Sequence, residues 1–178
     1  MEQFAVYVFK ERITMSAVTG KKLIYLYRLE SEASSADGTR IAFTTEDELS
    51  ISADADATAT KDGSVRGASV AELEKTMTSL MDADDAMIGK MKGAILNGSL
   101  IELWEVNLDK PATGQTNKYE GTYYQGYLSE FTASSPADGN VEVSMTVGIN
   151  GKGATGNVTV TASQQDDGQY TFVDAKHS

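Results

Sequence analysis

Cysteine is absent from this 178-residue chain, proline occurs twice and histidine once. Without cysteine there are no disulfides, thiolate metal sites or cysteine nucleophiles. The lone histidine, His177, stands next to last, where termini usually fray. That position argues against a His-dependent triad, a multi-His zinc site or a histidine general base. Bases are scarce too, 15 against 26 acids for a net charge of −11. Affinity for nucleic-acid phosphates comes from clustered Lys and Arg, so the balance speaks against a nucleic-acid binder. No run approaches the ~20 apolar residues of a membrane helix. Residues 1–14 lack the leading positive charge and longer apolar segment of a signal peptide. The expectation is a soluble, acidic protein made in the cytoplasm, long enough for one domain that buries about 70% of its unfolded surface.

What is present is alternation with a period of two. In residues 141–149, Val141, Val143, Met145, Val147 and Ile149 point one way and Glu142, Ser144 and Thr146 the other, the pattern of a strand with one buried face. Residues 157–161 repeat it with Val158 and Val160. Other runs are apolar on both faces: Leu23, Tyr25, Tyr27 and Leu29 alternate with Ile24 and Leu26. Ile101 and Leu103 oppose Leu100, Trp104 and Val106, and Tyr123, Tyr124, Tyr127, Leu128 and Phe131 form a third such run. A strand of this kind must be covered on two sides.

One segment, about 82–97, reads as a helix. Asp82 or Asp84 can cap its orphan amides, Met87, Ile88, Met91, Ala94 and Ile95 fall at helical spacing, and Asn97-Gly98 ends it. Gly89 and Gly93 each cost up to about 1 kcal/mol in a helix and suggest close approach to a sheet. Residues 40–81 read as a long β-hairpin whose tip, around 52–69, is nearly devoid of large apolar residues. Lys61-Asp62-Gly63 supplies the turn chemistry. Such a tip serves no core, so it is a free loop or a contact made elsewhere.

Residues 1–14 are read as a possible leader. Lys10-Glu11 can be encoded by AAGGAG, a bacterial ribosome-binding sequence, a few codons before Met15. The alternative is an ordered N-terminal arm in which Phe4, Val6 and Val8 alternate. Residues 15–178 then form a single domain.

Motifs with chemistry are few. Residues 151–156 spell GKGATG and fit GxGxxG, but a strand-like segment follows where a dinucleotide site needs a helix; the glycines are read as a turn. Asp54, Asp56 and Thr58 resemble the start of a calcium loop, yet Ala59 and Val65 occupy the positions of its glycine and bidentate glutamate. No cofactor or metal is expected. Glu46, Asp47 and Glu48, or Asp82, Asp84 and Asp85, could hold an acid/base pair only if one were buried. Residues 30–56 carry eight acids against Arg40 alone, either for solubility or to repel something negative.

Five segments in order, GKKLIYLYRLESEA (20–33), DADATATKDGSVRG (54–67), LIELWEVNLDK (100–110), KYEGTYYQGYLSEF (118–131) and VEVSMTVGINGKG (141–153), resemble the major tail protein of long, flexible-tailed bacteriophages (siphoviruses) of Gram-positive bacteria. Members of that family tend to begin near the position of Met15. The resemblance implies a mainly β tail-tube sandwich or barrel with one flanking helix. It further implies a non-enzymatic virion subunit, whose hexameric rings stack into a hollow tube through which DNA passes without specific binding. Implied partners are other copies of the chain and the tape-measure, distal tail and terminator proteins, with no membrane, and assembly takes place in the host cytoplasm. Thr60, Lys61, Asp62, Gly63 and Arg66 would then stack rings. Tyr25, Tyr27, Trp104, Tyr123, Tyr124 and Tyr127 would serve a subunit interface or the core, ring neighbours covering the surplus apolar faces. Glu46, Glu48, Asp54 and Asp56 are candidates for the channel wall, where acids would keep the duplex from adhering. Rival readings are the tube of a contractile secretion system, a monomeric β-sandwich ligand-binding module, and a carboxylate hydrolase.

Overall fold

A computed structural model describes residues 17–165; residues 1–14 and His177 lie outside the described residues. Among the described residues, alternation becomes eight strands: β1 (Leu23–Leu29), β2 (Thr44–Ser52), β3 (Ala57–Thr60), β4 (Gly63–Arg66), β5 (Glu72–Leu80), β6 (Ile101–Pro111), β7 (Lys118–Ser134) and β8 (Glu142–Thr159). Six of them form one antiparallel sheet in the order β1-β6-β7-β8-β5-β2, and β3-β4 stand apart as a two-stranded ribbon.

The sheet folds on its two longest strands. β7 pairs with β8 along almost its whole length, but β6 follows β7 only to Gly126, opposite Ile101, and β5 follows β8 only to Ile149, opposite Leu73. The pairing slips between Tyr123 and Gln125, where residues 151–153 of β8 stand opposite Tyr124 alone. Such a bulge bends a strand and increases its twist. It explains GKGATG: the segment is no turn between strands but an irregularity within β8. Gly151 and Gly153 have φ of 72° and 74°, and a Cβ at Gly153 would collide with the Tyr124 ring.

The two halves so produced enclose the main core with helix α1 (Ala86–Asn97). Tyr25, Tyr27, Met77, Met87, Met91, Leu103, Tyr124, Val143, Met145 and Val147 are among its members. The helix begins later than the sequence suggested. Asp85, not Asp82 or Asp84, is its cap, accepting from the Met87 N–H at 2.8 Å, while its other oxygen accepts from Ala42 N–H. Asp85 alone can serve the first turn and reach the loop before β2. Gly98 ends the helix at φ 61°. Gly89 and Gly93 do not bring it closer to the sheet, since nothing lies within 4 Å of a Cβ at either.

The second face of β1 is covered by the chain itself. Ile24, Leu26, Val106 and Val160 form a smaller core with Trp104, Leu108, Tyr119 and Val158 around it. Gln164 reaches over it to donate to Gly38 O, and Tyr119 Oη donates to Gln165. Ring neighbours are therefore not needed to cover that strand.

Candidate functional site

Period-two geometry turns one residue in and the next out, and the ladder registers show what the outer phase brings together. On the β7-β8-β5-β2 half, the inner phase is Asp47, Leu49, Leu73, Lys75, Met77, Val143, Met145 and Val147. The outer phase pairs Glu46 with Thr78, Glu48 with Thr76 and Ser50 with Glu74 across β2 and β5. Thr76 faces Thr146, and Leu80 stands opposite Glu142, across β5 and β8. Glu130 and Thr132 continue the face on β7. Side-chain contacts run along it: the Thr76 and Thr146 hydroxyls are 3.3 Å apart, and Thr132 donates to Glu130 at 3.3 Å.

The outcome is a face of Glu46, Glu48, Glu72, Glu74, Glu130 and Glu142 set among Ser and Thr. No Lys or Arg points outward from these strand segments; Lys75, their single base, points inward. Both margins of this half are open. β2 is an edge strand, and residues 127–134 of β7 have a partner only on the β8 side.

Lys75 is 1% exposed. Its ammonium donates to Asp47 Oδ1 at 2.5 Å and to Thr76 O at 2.8 Å, and it lies 4.0 Å from the Tyr25 ring centroid. Burial pushes the Asp47 carboxyl up and the Lys75 ammonium down, each against the attraction of the other. Tyr25 donates to Glu105 at 2.6 Å, and burial, reinforced by that bond, carries its phenol far above the ordinary range. Fully enclosed Tyr27, facing Asp47, is raised for the same leading reason. The consecutive acids Glu46, Asp47 and Glu48 thus split out, in, out; the inward one pairs with Lys75 of the neighbouring strand at the margin of the core.

On the other half, Arg28 binds Glu102 through Nε at 2.8 Å and Nη2 at 2.7 Å, and Tyr123 donates to the same carboxylate at 2.5 Å. Arg28 also lies 5.0 Å from the Trp104 ring, which meets Tyr123 at 5.3 Å. Burial and the Glu102 bond raise the Tyr123 phenol.

The residues singled out from sequence divide accordingly. Tyr25, Tyr27 and Tyr124 are core, Trp104 and Tyr123 are half-buried beside the second cluster, and Tyr127 is 48% exposed, opposite Gly148 at the margin of the acidic face. Glu46 and Glu48 belong to that face. Asp54 and Asp56 do not; their carbonyls accept from Ser69 and Gly67 at the root of the ribbon. Glu72, Glu74 and Glu130 join Glu142, already on the polar phase of residues 141–149, and the polar phase of the other strands would have found them.

The β3-β4 ribbon projects from the far end of β2 and β5, with every residue from 50 to 70 exposed. Its turn is Lys61-Asp62, with Gly63 (φ 136°) opening β4 and Thr60 Oγ1 donating to Gly63 O at 2.7 Å. The ribbon exposes Val65, and the segments joining it to β2 and β5 expose Ile51 and Val70, the last by 85%. An isolated two-stranded ribbon is marginal in water.

A family model for phage tail tube proteins matches residues 17–154. A tail protein of Staphylococcus phage phiMR25 is 31% identical over 138 residues, which are 77% of this chain and 70% of that protein. The fold is similar to that in the SPP1 tail tube, with a TM-score of 0.74 at 19% identity over 90% of this chain and 93% of the other. The tail of an empty gene transfer agent particle, described with C6 symmetry, gives 0.57 at 14% identity over 78% and 98%.

Proposed function

The chain belongs to the phage tail tube protein family, and from that premise we propose how its surfaces build and line the tube. It is a structural subunit of the virion tail, not an enzyme; the contractile-system and monomeric-module readings are not favoured. In the proposed assembly six copies form a ring. The free edge of β2 on one subunit pairs with residues 127–134 of β7 on the next, so that the acidic halves close into one barrel. Closure removes the open edges that would otherwise invite uncontrolled pairing. Roughly 24 strands, at ~4.8 Å spacing and a tilt near 40°, give a barrel about 45–50 Å across between backbones. A bore of that width admits a duplex with its hydration.

The glutamate face lines this bore. A duplex carries a charge every ~1.7 Å, and each phosphate neutralised by a cation releases counterions and gains affinity. A wall of carboxylates and hydroxyls offers no cation, so nothing holds the genome during ejection. Rings stack through the β3-β4 ribbon. The tube meets tape-measure, distal tail and terminator proteins, and it is assembled in the host cytoplasm. The observation carrying this reading is the coincidence of one bare acidic face with a free strand edge on each side of it. Electron microscopy of the concentrated protein tests it: six-fold rings or tubes are expected, and a persistent monomer would contradict it.

A further inference from the structure

The ribbon needs a landing place, and we infer that it docks on the opposite end of the next copy, at the corner formed by Phe43 and Met81. This rests on the stacking role proposed above. β2 spans about 26 Å from Thr44 to Ser52, with the ribbon at one end and this corner at the other. There, Leu80 N–H donates to Phe43 O at 3.1 Å and Met81 N–H to Val141 O at 2.8 Å, so the starts of β2 and β8 and the end of β5 meet.

Three observations single the corner out. Phe43 and Met81 are large apolar side chains, 65% and 50% exposed, that leave the end of a well-packed body uncovered. Phe43 also has φ 51°, one of two non-glycine residues in the left-handed region among the described residues. A bulky side chain is held there only when the surroundings impose it, and such strain gathers at functional positions. The pairing slip between Thr44 and Glu46 follows at once.

Charge supplies the partner. Residues 41–46, 79–86 and 133–142, which make up this end, contain Glu46, Asp82, Asp84, Asp85, Asp138 and Glu142 and no Lys or Arg. In residues 41–74 the only bases are Lys61, at the ribbon's turn beside Asp62, and Arg66, opposite Ala57 at its root, with exposed Val65 between them. The ribbon, residues 57–66, thus sets two bases against one acid around exposed Val65, and it faces apolar side chains rimmed by acids, at opposite ends of one molecule. Complementary patches on different surfaces give a head-to-tail contact that propagates without closing. The extended ribbon, about nine residues from Ser52 to Lys61, reaches up to ~30 Å, enough to pass the end of its own body.

Absence of cysteine makes the test clean. The full-length chain carrying Val65→Cys and Phe43→Cys is assembled into tubes and treated with a short bismaleimide. A ladder of covalent multimers is expected, with none from either single variant. Tubes that form normally yet give no ladder would overturn the docking site. A charge exchange provides the second arm: Lys61→Glu with Arg66→Glu abolishes tubes, and adding Asp82→Lys with Asp138→Lys restores them. If the ribbon variant abolishes tubes and the exchange gives no recovery, the landing site is wrong while the stacking role stands. If the ribbon variant leaves tubes unchanged, the stacking role itself fails. Circular dichroism and melting of each variant at low concentration confirm that the body is folded.

Discussion

The two halves of the sheet share β7 and β8, yet they treat their outer faces in opposite ways. The β1-β6 half has apolar outer residues, Ile24, Leu26, Trp104 and Val106, and the chain folds residues 36–40 and 158–165 back across them. The β5-β2 half has Glu and Thr at the same phase and is left bare. Backbone geometry is the same in both. The difference lies in what the outward side chains ask of water: greasy ones recruit a cover, carboxylates and hydroxyls refuse one. A subunit built this way presents a finished wall on one side and a sealed flank on the other.

The largest blow to this arrangement is expected at the ion pair beneath the bare wall. Lys75→Met leaves Asp47, 23% exposed at the margin of the core, without its partner and is predicted to cost about 3 kcal/mol in denaturant unfolding, the low end for a broken buried pair. The double variant Asp47→Leu/Lys75→Met removes both charges and is expected to recover most of that loss. A double variant as unstable as the single one would mean that Lys75 acts through its packing rather than its charge. On the sealed flank, Trp104→Ala opens a cavity under Gly38 and Arg28. Because the ring is only half-buried, the loss is expected at about 2–3 kcal/mol, below that of a fully enclosed tryptophan. An unchanged melting temperature would show the second core to be idle.

Alkali separates the halves by titration. Tyr25 and Tyr27 have phenols raised by burial, whereas in the unfolded chain they ionise near pH ~10. A raised folded pKa means that the unfolded state loses protons first. Stability is therefore predicted to hold through neutral pH and to fall above about pH 10. Tyrosinate absorbance from these two residues should rise only together with unfolding; a rise while the fold is intact would contradict their enclosure. The smallest effect belongs to the bare wall. Glu72→Gln with Glu74→Gln touches no packed side chain and should shift stability by no more than about 0.5 kcal/mol.

Much of this contrast was legible in the sequence. Alternation located the strands, the two-sided character of residues 23–29 was visible, and the hairpin with its polar tip stood out. What escaped were the consequences of register. Glu48 and Glu130 become parts of one surface only through three strand pairings, and no local window connects them. The cover over Trp104 was assigned to a neighbouring copy because residues 158–165, far along the chain, gave no local sign of folding back. The segment 151–156 was read as a turn because glycine-rich chemistry is shared by turns and bulges; only the partner strand decides between them. The helix cap fell on the third of three nearby aspartates, a choice set by the reach to Ala42 rather than by residue type.

The central claim is that the bare glutamate face looks into the channel. A helical reconstruction by cryo-electron microscopy of tubes assembled from the purified chain tests it directly. The account predicts Glu46, Glu48, Glu72, Glu74, Glu130 and Glu142 on the inner wall, with β2 of each subunit paired to β7 of the next. A bore lined instead by the Arg28–Trp104 flank, or a glutamate face directed to the outside, would contradict it.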